Sequence, residues 1–321
     1  MNIIELNKDV EKHVLNSSGV TFVHFSDVHA RPKLWDRIVE YINNYPQISF
    51  ALHTGDYCGG SQKVYADMYQ GKACRCPIYN CVGNHDCYSG EGAWLLNEKS
   101  VAYNLLFNHI ENWDATFFNI PYSMCYYKDF ENLRIIVLDD YYDIWQNRQW
   151  LRKILKDAYE KNIHVLTAQH EPTGYIEHPL NTNFQTFENL VEKHKKGELE
   201  RVNFDFDHRA RVLYEDVIGE FISYGGKYIC NIAGHDHNDQ IGFTDKGILN
   251  IAIQNATSWD GITDTQRVIG ERSEDCFNVM SVDTSKNTFK LVRIGANTDR
   301  LGRCKKMLVY DYKNKKILKE E

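Results

Sequence analysis

Short apolar, β-branched runs recur along this chain at intervals long enough for a helix, and five of them end in a small polar cluster. Val20 to Phe25 leads into Ser26-Asp27-Val28-His29, Ile48 to Leu52 into His53-Thr54-Gly55-Asp56, and Ile78 to Val82 into Gly83-Asn84-His85-Asp86. Ile163 to Ala168 leads into Gln169-His170-Glu171-Pro172, and Tyr228 to Ala233 into Gly234-His235-Asp236-His237. Runs of this length and composition read as buried strands, and 3.6-residue periodicity predicts helices over 33–44, 61–70, 146–160, 182–196 and 211–224. In the third of these, Trp150, Leu151, Ile154 and Leu155 form one apolar stripe. Ile3, Leu6, Val10 and Val14 stand at helix spacing and predict an amphipathic lead helix. Beyond residue 240 the pattern changes to strands joined by turns: Ile248 to Ile253, Cys276 to Val282, Phe289 to Ile294 and Met307 to Tyr310, with a turn at Asp283 to Asn287. An antiparallel set of this kind is expected to complete a second sheet. The whole predicts an α/β or layered αββα core with ligands gathered at the carboxyl ends of strands.

No repeat, low-complexity stretch or linker divides the 321 residues, which predicts a single domain, 1–321, with insertions at 88–132 and 174–210. The first insertion is aromatic, with Trp94, Tyr103, Phe107, Trp113, Phe117, Phe118 and Tyr122. Its preferred reading is a helical pair packing these rings into the core, and the alternative is a cap whose faces stack a base or sugar. The second is polar and carries the solvated run Glu192-Lys193-His194-Lys195-Lys196. A net charge of -7 offers no broad basic field for nucleic acid or anionic lipid. The first residues lack a basic and an apolar leader region, and no apolar run reaches the ~20 residues that span a bilayer, so the default expectation is a cytoplasmic protein without membrane association. Nine cysteines without an export signal read as reduced thiols. Cys74-Arg75-Cys76, near Cys58, Cys81 and Cys87, does not have zinc-ribbon spacing. Cys58 and Cys87 flank the polar clusters and are candidates for oxidation.

The clusters change the picture from scaffold to chemistry. Carboxylate and imidazole suit Zn, Fe, Mn, Co or Ni, and a carboxylate can bridge two ions roughly 3.5–4 Å apart. Asp56, alone in its cluster, is the natural bridge. Gly55, Gly83 and Gly234 each precede a candidate ligand, where the absence of a Cβ allows a sharp turn and close backbone approach.

These blocks resemble the calcineurin-like metallophosphoesterase superfamily, whose pattern is Asp-x-His, Gly-Asp, Gly-Asn-His-Asp/Glu, His and Gly-His-x-His, all present here in order from Asp27 to His237. The resemblance implies a four-layer αββα sandwich of two mixed β-sheets flanked by helices. It also implies a centre of two divalent or trivalent ions. Asp27, His29, Asp56 and His237 would hold one, and Asp56, Asn84, His170 and His235 the other. His85 would face the substrate, with Asn84, and assist the leaving oxygen, with Asp86 orienting it. The implied reaction is attack of a metal-bound hydroxide on a small phosphate mono- or diester.

Departures from two subgroups narrow this. Serine/threonine protein phosphatases carry Gly-Asp-x-Val-Asp-Arg-Gly where this chain reads Gly55-Asp56-Tyr57-Cys58-Gly59-Gly60, and purple acid phosphatases place a tyrosine ligand where Gly59 stands. Arg31 is a candidate phosphate clamp in place of the missing arginine. Alternatives are a metal-dependent nuclease, or a catalytically silent binding scaffold on the same fold, although every ligand position is filled. Among the other histidines, His24 and His53 are candidate supports for ligands, His13, His109, His164 and His194 are expected on the surface, and His178 and His208 in a loop near substrate.

Overall fold

A computed structural model of the chain describes residues 8–29, 31–57, 73–86, 114–120, 123–141, 144–172, 214–244, 246–256, 267–268, 270–296 and 306–321. The helices expected at 61–70 and 182–196, the loop 174–210, most of the aromatic insertion, and His109, His178, His194, His208, Cys58 and Cys87 lie outside these residues.

All five strands that precede the polar clusters are present: β1 (Val20–Phe25), β2 (Ile48–His53), β3 (Ile78–Asn80), β7 (His164–Ala168) and β8 (Tyr228–Ala233). The remaining strands are β4 (Thr116–Phe117), β5 (Tyr126–Phe130), β6 (Leu133–Val137), β9 (Gln240–Phe243), β10 (Leu249–Ala252), β11 (Cys276–Asp283), β12 (Thr288–Gly295), β13 (Met307–Asp311) and β14 (Lys316–Glu320). They form two seven-stranded mixed sheets, ordered β14-β13-β12-β11-β1-β2-β3 and β4-β5-β6-β7-β8-β10-β9. β1, β2 and β3 run parallel in the first, and β6, β7, β8 and β10 in the second.

Side-chain alternation explains the layering. In β1 and β2, Phe22 stacks on Phe50, which stacks in turn on Phe130 of the other sheet at 4.6 Å between ring centres. The opposite face of β1 presents Phe25 to Trp35 of α1 (Pro32–Asn44). In β6, Leu133, Ile135 and Val137 join the core between the sheets. Ile136 turns outward to a second core shared with Leu151 and Leu155 of α2 (Ile144–Glu160) and Val217, Ile218 and Phe221 of α3 (Glu215–Ser223). This is the αββα sandwich expected. α1 begins with Pro32, whose missing N–H is harmless at a first turn, and buries Leu34, Trp35, Ile38, Val39 and Ile42 on one stripe. Val10, just before the short helical turn Glu11–Leu15, and Val14 within it are also fully buried.

Three expectations are corrected. β11 to β14 form an antiparallel set but extend the sheet that contains β1, with Phe22 opposite Met280. Of the four runs expected there, only β10 joins the other sheet, and it lies parallel to β8. Residues 126–130, assigned to an insertion, are β5 and pair with β6 from Tyr126–Val137 to Phe130–Leu133. In the same stretch Phe117 packs on Tyr126 and Phe118 stacks on Trp150, so these two rings serve packing. His164 is buried, 4% exposed, because it opens β7 rather than lying on a surface. Among the described residues, no helix is long and apolar enough to cross a membrane. Six described cysteines are free thiols, and Cys74 Sγ lies 4.0 Å from Cys76 Sγ.

Candidate metal centre

The turns after β1, β2, β3, β7 and β8 meet at one end of the two sheets. Backbone bonds lace them together: Asp27 N–H donates to Gly55 O, His29 N–H to Asp56 O, and Gly234 N–H to His170 O, all at 2.9–3.1 Å. The turns are sharp. Asp27, His29, Asp56, His235 and His237 all have φ between 48° and 69°, a left-handed backbone that costs a non-glycine residue energy and persists only where surrounding contacts enforce it. Gly55 has φ of 100°, and a Cβ there would collide with His170 Nδ1. At Gly234 a Cβ would collide with Ser26 Oγ and Asp27 Oδ2, so only glycine lets this turn pass so close.

Each aspartate has one oxygen fixed and one directed inward. Asp27 Oδ2 accepts the His235 N–H at 3.0 Å, while buried Oδ1 completes no hydrogen bond and faces His237 Nε2 at 3.3 Å and His29 Nε2 at 3.9 Å. Asp56 Oδ1 accepts the His85 N–H at 2.9 Å, and its Oδ2 lies 3.9 Å from His29 Nε2 and 3.4 Å from His170 Nε2. Donor atoms of Asp27, His29, Asp56 and His237 all fall within 4.8 Å of one another. A second group adjoins it: Asn84 Oδ1 lies 3.0 Å from His170 Nε2 and 3.1 Å from His235 Nδ1, and these two nitrogens are 3.2 Å apart. His29 Nε2 and His237 Nε2 approach to 3.0 Å. Imidazole nitrogens and carboxylate oxygens converging in this way, with a buried oxygen lacking a hydrogen-bond partner, form a donor set suited to cations of the Zn, Fe or Mn type.

The electrostatics are those of carboxylates held ionised in a buried place. Burial alone would push the Asp27 carboxyl up, but His237 beside it, with His170, holds it below the usual carboxylate range. Asp56 is likewise depressed despite burial, through the charge of His170 and then of His85 and His29. Burial disfavours the charged imidazoles of His170 and His237, yet Asp56 raises the first and Asp27 the second. Proton binding at these imidazoles would therefore compete with a cation for the same nitrogens.

The surrounding residues set orientation. His170 Nδ1 faces Thr54 O at 2.6 Å, which leaves Nε2 directed at Asn84 and Asp56. His24 contacts Thr54 Oγ1 at 3.0 Å, and the Gly55 N–H donates to His53 Nδ1 at 3.3 Å, so both buried histidines support the β2 turn. Burial pushes the His24 imidazole down to about 3. His85 Nε2 is 3.9 Å from Asp56 Oδ2, as His29 Nε2 is, but its side chain is 41% exposed against 7% for His29. Asp86 accepts backbone N–H bonds from Asp56, Tyr57 and Gly83 at 2.8–2.9 Å, so its carboxylate ties the β2 turn to the β3 turn. Arg31 is exposed where α1 begins, and no contact from it to the cluster is formed among the described residues.

One further acidic pair supports the site from outside the five clusters. Asp140, fully buried after β6, accepts the Glu171 N–H at 2.8 Å and so supports the turn carrying His170. Burial, with the neighbouring Glu171 charge, pushes its carboxyl well above the usual range. The signal was available: Leu133 to Leu138 running into Asp139-Asp140 repeats the strand-then-acid arrangement of the five recognised blocks.

Two mixed sheets with metal-ligand side chains gathered at the ends of their parallel strands define a metallophosphoesterase-type centre. The sequence profile described as calcineurin-like phosphoesterase matches residues 20–239. Among solved structures, a dimetal phosphatase from Danio rerio is similar at 14% identity and a TM-score of 0.55, covering 88% of this chain and 98% of that one. A purple acid phosphatase from seeds of yellow lupin, Lupinus luteus, is similar at 13% identity and a TM-score of 0.54, over 92% of this chain and 54% of that one. These likenesses show a shared fold. A search of curated protein sequences gave no match. The chain belongs to the calcineurin-like phosphoesterase family and is a metal-dependent phosphoesterase.

Proposed function

We propose that this protein hydrolyses a small phosphate mono- or diester at a two-ion centre bridged by Asp56. The observation that carries the reading is the position of Asp56 Oδ2, within 3.9 Å of His29 Nε2 in one donor group and 3.4 Å of His170 Nε2 in the other. Asp27, His29, Asp56 and His237 would hold one ion, and Asp56, Asn84, His170 and His235 the second. When bound, the ions would acidify water to a pKa near ~7 and offset charge on the phosphoryl oxygens. The two aspartates supply two negative charges and the amide and neutral imidazoles none, so the centre keeps a positive surplus that attracts a phosphate.

The chain's own part is positioning and proton transfer. His85, on the exposed side of the cluster, hands a proton from its imidazole to the departing oxygen, the usual role of a histidine as general acid. Asp86 acts through the backbone, keeping Asp56 and the His85 turn in register. Arg31 serves as an outer contact for a substrate's free oxygens. We read the chain as one domain with insertions at 88–132 and 174–210, residues 126–130 of the first forming β5.

The test is Asp56→Asn in protein reconstituted with Mn, Fe, Zn, Co or Ni, assayed on an aryl phosphodiester and an aryl phosphomonoester. Loss of both activities is expected, whereas near-wild-type turnover in metal-replete variant protein refutes the bridge.

A further inference from the structure

A second concavity lies at the other end of the strands. It is a cleft of about 430 Å³, bounded by the segment between α3 and β8, the turn between β9 and β10 and the turn between β13 and β14. Its size is that of a small-molecule site. Tyr228, at the cleft, and Ala233, beside the His235 turn, are opposite ends of β8, which places the two sites roughly 17 Å apart along the strand at about 3.3 Å per residue.

The lining is charged in one sense. Lys227, Lys313 and Lys315 border the cleft, no aspartate or glutamate does, and none of the three lysines forms an ion pair among the described residues. Asp311, whose carboxyl feels the Lys313 charge, is taken up by the Asn314 N–H at 3.0 Å and Asn314 Nδ2 at 2.7 Å. In a chain with 44 acidic against 37 basic residues, three unpaired ammonium groups around one hollow run against the overall balance. Tyrosines also border the cleft. Tyr310 and Tyr312 are 2% and 5% exposed, and Tyr312 Oη sits 2.8 Å from His164 Nδ1, so its ring is held in place. Backbone shape keeps the hollow open: Gly225, with φ of 91°, has no heavy atom within 4 Å of the place a Cβ would occupy. At Gly247 the missing Cβ leaves room for Lys315 Nζ, which lies 3.1 Å from that place.

We propose that this cleft binds a small organic phosphate bearing at least two negative charges, independently of the metal centre. The lysines take the phosphate oxygens as point charges.

The probe is ADP, titrated calorimetrically into the full chain in EDTA so that no cation can hold phosphate at the metal centre, with adenosine as the uncharged control. ADP is expected to saturate with a Kd below about 1 mM and to weaken as salt is raised, and adenosine to give no saturation in that range. Lys227→Glu with Lys315→Glu should weaken ADP at least about tenfold, the loss expected from removing charge-assisted contacts. Lys313→Glu with Lys315→Asn, both at exposed turn positions, should do the same in protein whose melting is unchanged. Absence of ADP saturation in wild type, equal binding of adenosine, or unchanged affinity in the melting-normal variant would overturn the proposal.

Discussion

Asp56 shows how much one side chain is asked to do. Its Oδ1 is fixed by the His85 N–H, its backbone N–H is fixed by Asp86, and its φ of 59° turns the carboxylate back into the cluster. Five of the proposed ligands share that left-handed backbone, so the strain sits where cation binding would repay it. His85 differs, because its backbone belongs to the cluster while its ring is open to solvent. His85→Ala is therefore expected to keep its full metal content while turnover falls by roughly 10²–10⁴, the usual worth of a general acid. Metal analysis beside the kinetic assay checks this, and loss of metal would make His85 a ligand. At this scale most of the site was legible, because ligand chemistry restricts residue types and each ligand follows an apolar run. The contacts of Asp86 and Asp140 to backbone amides were not, since a carboxylate that binds N–H groups from another turn leaves no spacing signature in the sequence.

Elements depend on smaller devices. The turn between β11 and β12 is closed by Asp283, whose Oδ1 accepts the Ser285 and Lys286 N–H groups at 3.1 Å, while Oδ2 accepts Ser18 Oγ at 2.7 Å and faces Lys286 Nζ at 3.0 Å. Burial opposes ionisation, but the bonds from Ser285, Ser18 and Lys286 hold the carboxyl well below its usual range. A carboxyl depressed in the folded state adds stability above the unfolded value near ~4 and loses it as pH falls below that value. Asp283→Ala is expected to destabilise the protein by about 1–2 kcal/mol at pH 7, with the gap to wild type closing as pH drops below about 4. Urea unfolding at several pH values measures this, and a gap constant with pH would contradict it. The strands and this turn were readable from apolar alternation and turn residues. Their allocation between sheets was not: β11 satisfies its alternation equally beside β1 or in the other sheet, and only its long-range pairing with β1, Phe22 opposite Met280, places it.

The molecule is held as one frame by a buried link between its sheets. Asp239, two residues past His237, receives Arg293 of β12 through Nη2 to Oδ1 at 2.6 Å and Nη1 to Oδ2 at 2.9 Å, and Arg293 Nε also donates to Asn278 of β11 at 2.7 Å. The turn carrying His235 and His237 is thus anchored to the opposite sheet. Removing one partner of a buried pair leaves an uncompensated charge, so Arg293→Met should cost about 3–5 kcal/mol, and adding Asp239→Asn should recover part of it. Denaturant titration of the single and double variants reads both effects, and equal stability of the single variant and wild type would show that the link carries no load. The account as a whole rests on two cations sharing one carboxylate. The direct test is metal content per chain after reconstitution and gel filtration, in wild type and in Asp56→Asn. Two ions per chain in wild type and at most one in the variant are expected, whereas one ion in wild type, or two in the variant, contradicts the shared-carboxylate centre.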